Sequence, residues 1–147
     1  MPATYTIDQH SAVVRVECFG AFTNQDMLDC LARLCNDPDR KPGTPSLVDC
    51  RGVERMMVTP DGVQAAVMVE ATMVDRWQPP WAVAVIAPQD EVFWMARTYE
   101  VLRAGSPESV RVFRQPAEAE RWLDSYRAKA TPRVDRRPGS RSAIPPW

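Results

Sequence analysis

Hydrophobic and polar positions follow two rhythms along this chain, and the places where the rhythm changes mark its elements. Tyr5 to Asp8 reads as a short extended segment, Gln9-His10-Ser11 as a polar turn, and Ala12 to Phe19 as a second strand paired with the first in a hairpin. In that second strand Val14, Val16 and Cys18 alternate with Arg15 and Glu17, so one face is buried and the other is wet. A sheet covered by helices on both faces would be apolar at both sets of positions. The strand therefore lies near an edge, or one face of the sheet is partly open. At Thr23-Asn24 the period lengthens. Either residue can cap a helix whose Met27, Leu28, Leu31, Leu34 and Cys35 recur at helical spacing and which fails at Asn36-Asp37-Pro38.

After a Pro/Gly/charged loop to Thr44, Leu47 to Asp49 reads as a third strand opening into a polar Asp-Cys-Arg-Gly loop. Thr59 is a good N-cap, with Pro60 at the first helical position and Asp61 in the first turn. This second helix turns Val63, Ala66, Val67, Ala71 and Val74 inward and ends near Arg76, before Pro79-Pro80. Ala82 to Ala87 is apolar at every position, the mark of a strand buried on both faces. Pro88-Gln89-Asp90 turns into a third helix with Val92, Phe93, Ala96, Tyr99 and Leu102 as its core stripe, closed by Gly105. Val110 to Phe113 is strand five. Pro116 to about Arg127 is the last helix, with Ala119, Trp122, Leu123 and Tyr126 inward. The order ββαβαβαβα implies an α/β domain with a mainly parallel five-stranded sheet, its first strand antiparallel, and four helices.

The 147 residues suit one domain, here residues 1–127, and 45 % apolar content is enough for a core. Residues 128–147 are rich in Pro, Arg and Ser without periodicity and read as a tail. The net charge of −1 argues against electrostatic binding to nucleic acid or membranes, although the tail holds five basic residues (Lys129, Arg133, Arg136, Arg137, Arg141) against one acid, Asp135. Cys18, Cys30, Cys35 and Cys50 sit in apolar patterns with no CxxC pair and read as buried free thiols in a reducing cytoplasm. The start MPATYTIDQH lacks the plan of a signal peptide, and no apolar run approaches the ~20 residues that span a bilayer.

LVDCRG (47–52), VTPDGV (58–63), AVIAPQDEVFWMARTYEVL (84–102) and VRVFRQPAEAERWL (110–123) together resemble the STAS family, the fold of bacterial anti-sigma-factor antagonists. The chain is most similar to its SpoIIAA-like branch, which itself resembles lipid-binding SEC14 domains. The resemblance implies a regulatory module that binds a protein partner. The antagonists open their second helix with an Asp-Ser-Ser-Gly-like motif whose serine a partner kinase phosphorylates. If Gly62 matches the motif glycine, Asp61 occupies that serine's position, and a serine kinase cannot phosphorylate it.

Enzyme chemistry finds few supports. Cys50 followed by Arg55 is one residue short of the thiol-phosphatase spacing, and the residues between are no phosphate cradle. Asp49, Arg51 and Asp61, with Cys50, form a candidate small polar site at the carboxyl edge of the sheet; a loop-fixing Asp–Arg pair plus an ordinary first-turn Asp is the plainer reading. Thr59 is a candidate phosphorylation site or simply a cap. His10, the only histidine, falls in a turn, and one His with scattered Cys gives no tetrahedral metal set. No glycine-rich phosphate loop is present, so no cofactor is expected. Trp77, Trp81 and Trp94, with Met56-Met57 and other methionines, are core packing or else the lining of an apolar pocket or dimer patch. Phe93-Trp94-Met95 cannot all face one sheet, so at least one lies near the surface. The expected function is non-enzymatic binding of a protein partner, a second copy or a small apolar ligand. The alternatives are a small-molecule enzyme or a phosphoprotein switch at the strand-3/helix-2 segment.

Overall fold

A computed structural model describes residues 2–73, 81–105 and 108–130. Strands β1 (Ala3–Asp8) and β2 (Val13–Thr23) form an antiparallel hairpin. There follow α1 (Asn24–Cys35), β3 (Ser46–Met57), α2 (Pro60–Ala71), β4 (Trp81–Ile86), α3 (Asp90–Leu102), β5 (Glu108–Phe113) and α4 (Pro116–Ala130). The sheet order is β1-β2-β3-β4-β5, with every pair after the hairpin parallel.

This sequential order decides where the helices go. Right-handed crossovers that always step the same way put every connecting helix on the same face. Thus α1, α2 and α3 share one face, above a core that includes Val14, Val16, Cys18, Cys50, Val83 and Val85. Among the described residues α4 alone lies on the other, where Ala119 and Leu123 pack on Val13, Leu47, Ala82, Ala84 and Ile86. That helix covers β4 and β5 and reaches Val13 and Leu47 at the starts of β2 and β3, beyond which the outer face carries exposed side chains. Glu17 and Phe19 are exposed there, and Arg15 reaches Glu120 of α4 at 3.3 Å. The alternation in β2 therefore reflects a half-covered sheet face.

Four boundaries depart from the sequence reading, one of them α2, which ends at Ala71 and not near Arg76. β2 continues to Thr23, β3 runs on through Met57, and α4 reaches Ala130. The Asp49–Gly52 stretch is consequently the interior of a strand, and Met56-Met57 lie in that strand and not in a loop. Polarity misleads here because the side chains of Asp49 and Arg51 face water while their backbone is paired. β2 supplies that pairing through Phe19↔Gly52 to Thr23↔Met57, past two register shifts. One shift falls at Gly20, which takes φ +65°, a backbone that favours glycine. β4 stops opposite Asp49, and the edge of β3 beyond it is met by Gln89, whose Nε2 donates to Arg51 O (3.1 Å) and Val53 O (2.9 Å).

The helix starts follow local chemistry. Thr23 and Asp26 make a reciprocal capping box on α1. Thr59 caps α2 through Gly62 N, and Pro60 stands at the helix start. Asn24 ties the two together: Thr59 N donates to its Oδ1 and its Nδ2 donates to Thr59 Oγ1, each at 2.9 Å. A Cβ at Gly62 would stand 1.9 Å from Asn24 Oδ1, so only glycine permits this tie.

Candidate functional site

Five strands about 4.8 Å apart make a sheet roughly 19 Å across its four gaps. A helix with its side chains is about 10 Å wide, so two lie flush on such a face and a third does not. α1 rests on β1 and β2, α3 on β3 and β5, and α2 is held chiefly by α1 and α3. Beneath α2 is an apolar cavity of about 170 Å³. Its floor is Val16, Cys18, Val48, Cys50, Val83 and Val85 from the sheet. α1 contributes Met27, Cys30, Leu31 and Leu34; α3 contributes Met95, Ala96 and Tyr99. The roof is Val63, Ala66 and Glu70, one face of α2 at i, i+3 and i+7. Small side chains on both roof and floor leave the space that the displaced helix opens.

Glu70 is buried, and the Tyr99 hydroxyl lies 2.9 Å from each of its carboxylate oxygens. Arg40 also borders the cavity, with Nη2 donating to Thr44 O at 3.1 Å. Three of the four cysteines line the space, and all four are buried thiols outside any disulfide. The Cys50 thiol against Cys18, together with burial, pushes the Cys18 thiol far above its ordinary range; burial raises Cys30 as well. Thiols held protonated in this way are poor nucleophiles.

The sequence-predicted residues are distributed differently. Asp49 and Arg51 form a bidentate pair, Arg51 Nη2 lying 2.7 Å from Asp49 Oδ2. The Arg51 side chain holds the Asp49 carboxyl below its usual range, and Asp49 in turn raises Arg51. Asp49 lies on the sheet face of Leu47, whereas Cys50 belongs to the core on the opposite face. Asp61 is exposed in the first turn of α2. Asp49, Cys50, Arg51 and Asp61 therefore do not converge. The Thr59 hydroxyl is engaged by Gly62 N and Asn24 Nδ2, the geometry of a cap. Trp94 is 62 % exposed on α3 and takes no part in the cavity, and Trp77 lies outside the described residues. Of Trp81, only the backbone at the start of β4 is described. Among the described residues no cluster of His, Cys, Asp or Glu could hold a metal ion, and no helix is long and apolar enough to cross a membrane.

Glu70, Tyr99 and Arg40 were not singled out as site residues from the sequence. A charged residue on the inward stripe of α2, seven positions after Val63, is the one signal that pointed to them.

Neither a family model nor a curated protein sequence matches the chain. Among solved structures, it is similar to an uncharacterized protein of the DUF3478 family with a SpoIIAA-like fold from Shewanella loihica PV-4. The TM-score is 0.53 at 15 % sequence identity, over 82 % of this chain and 93 % of that one. With the element order and sheet described above, this establishes a SpoIIAA-like α/β fold, as the STAS resemblance implies.

Proposed function

We propose that this chain is a non-catalytic, cytoplasmic binding module of STAS-like architecture that takes a small apolar ligand beneath α2. The observation that carries this reading is the apolar cavity of about 170 Å³ roofed by Val63, Ala66 and Glu70. Packed interiors keep few voids larger than a water molecule. Apolar cavities of about 150 Å³ stay dry and take up benzene-sized molecules. Toluene is therefore the first probe. A ligand that binds only the folded state stabilises it by about 1.4 kcal/mol at ten times its Kd. For a chain of this size that raises Tm by roughly 3–6 °C. A thermal melt in near-saturating toluene that shows no rise would remove the proposal.

A second reading, a protein partner or a second copy of the chain, draws on a separate feature. Trp94 and Val101, seven residues apart on α3, are 62 % and 64 % exposed, and Leu102 beside them is 42 % exposed. An apolar ridge of this kind is what an interface buries. For the second-copy version, sedimentation equilibrium should show a dimer at about 100 µM that Trp94→Glu converts to monomer. A wild-type monomer at that concentration rules that version out.

A further inference from the structure

Where the pairing of β2 with β3 slips register, the cavity floor carries sulfur. Glu17 pairs with Asp49 and Phe19 with Gly52, so one residue of β2, Cys18, faces two of β3, Cys50 and Arg51. Cys18 and Cys50 share the core face and both line the cavity, and the two thiols are in hydrogen-bond contact. Cys30 borders the same space from α1, but among the described residues no three His, Cys, Asp or Glu side chains come together as a metal site. The floor therefore presents a pair of adjoining thiols, 4 % and 5 % exposed, to an apolar space.

Building on the apolar-ligand reading of this cavity, we propose that Cys18 and Cys50 form a dithiol site for a trivalent arsenical with one organic group, R–As(OH)2, whose organic group fills the space beneath α2. Such an arsenic has two exchangeable positions, which match two adjoining thiols and no third. Each thiol sulfur bonds to arsenic, and its proton leaves with hydroxide as water. Two As–S bonds form, two As–O bonds break, and no atom changes oxidation state. The product carries no charge, so it escapes the cost of burying an ion, which a bis-thiolate of a monovalent metal ion would meet. It also suits thiols that burial keeps protonated, since no free thiolate has to persist in the cavity. A volume of about 170 Å³ has room for one phenyl ring. Because both sulfurs belong to one chain, the second As–S bond closes intramolecularly, and the chelate outlasts a single As–S bond.

The test uses the full chain, reduced and then freed of reductant, with phenylarsine oxide as the probe. After incubation to equilibrium and a challenge with excess 2-mercaptoethanol, intact-mass spectrometry should show one phenylarsine group retained per chain. On denaturation, iodoacetamide should then modify Cys30 and Cys35 and spare Cys18 and Cys50. Inorganic arsenite, whose third position finds no thiol, should be stripped by the same challenge. Retention of phenylarsine should weaken about a hundredfold in Cys18→Ala or Cys50→Ala. It should be unchanged in Cys35→Ala, since Cys35 does not line the cavity. Should an alanine variant fail to fold, the iodoacetamide map of the wild-type adduct decides. Loss of phenylarsine to the monothiol, protection of any other cysteine pair, or arsenite held as firmly overturns the dithiol inference. A rise in Tm with toluene would in each of those cases leave the apolar-ligand reading standing, whereas no response to either probe overturns both.

Discussion

Ala66→Leu is expected to abolish toluene binding and at the same time to make the unliganded protein more stable. Ala66 is buried, sits mid-roof on α2 and faces the cavity. Leucine is nearly as good a helix former as alanine, so the helix is undisturbed. Its three extra carbons enter space that holds no protein atoms. At about 0.8 kcal/mol per buried methylene they contribute roughly 2 kcal/mol, which raises Tm by about 4–8 °C. Filling a well-packed core has the opposite sign, a loss of about 1–3 kcal/mol. The sign of the stability change therefore reports whether the space exists, and the loss of the toluene-induced rise in Tm reports whether it is the site. A destabilised variant that still responds to toluene would show that the ligand binds elsewhere.

Ile86→Ala addresses the opposite face of the sheet and should cause the largest stability loss. Ile86 is 1 % exposed, packed with Ala119 and Leu123 of α4 and flanked on β4 by Ala82 and Ala84, both fully buried. Those alanines are too small to collapse into the gap, so the full cavity term applies. Large-to-small changes of this kind cost about 2–5 kcal/mol, and roughly 3–4 is expected here. A domain of this size has about 5–15 kcal/mol in total, so the variant should fold but melt roughly 6–16 °C lower. In urea the midpoint should fall with the m-value unchanged. A loss under 1 kcal/mol would mean that α4 does not pack tightly on β4.

The fold could be read closely because its signals are local. The alternation of Val14, Val16 and Cys18 followed from one dry face, the unbroken apolar run of Ala82–Ala87 from two, and the α2 start from Thr59 and Pro60. β3 resisted reading because a strand is defined by its partner's backbone. Asp49 and Arg51 carry polar side chains into water while β2 pairs with the chain beneath them. The proposed site was less legible still. Asp49, Cys50, Arg51 and Asp61 lie near one another along the chain, yet alternation across the strand sends Cys50 to the face opposite Asp49 and Arg51.

By itself, then, the sequence determined the element types, their order, the caps and the parallel α/β class, since each depends on residues within a few positions of one another. Tertiary structure alone decided the cavity. Sequential strand order and crossovers of one hand put three helices about 10 Å wide on a face roughly 19 Å across, and α2, the helix without room on the sheet, stands off it. Ala66, Cys18, Cys50 and Val85 are unremarkable core residues in their own segments. They line a cavity because no single segment encodes the distance between a displaced helix and the strands below it.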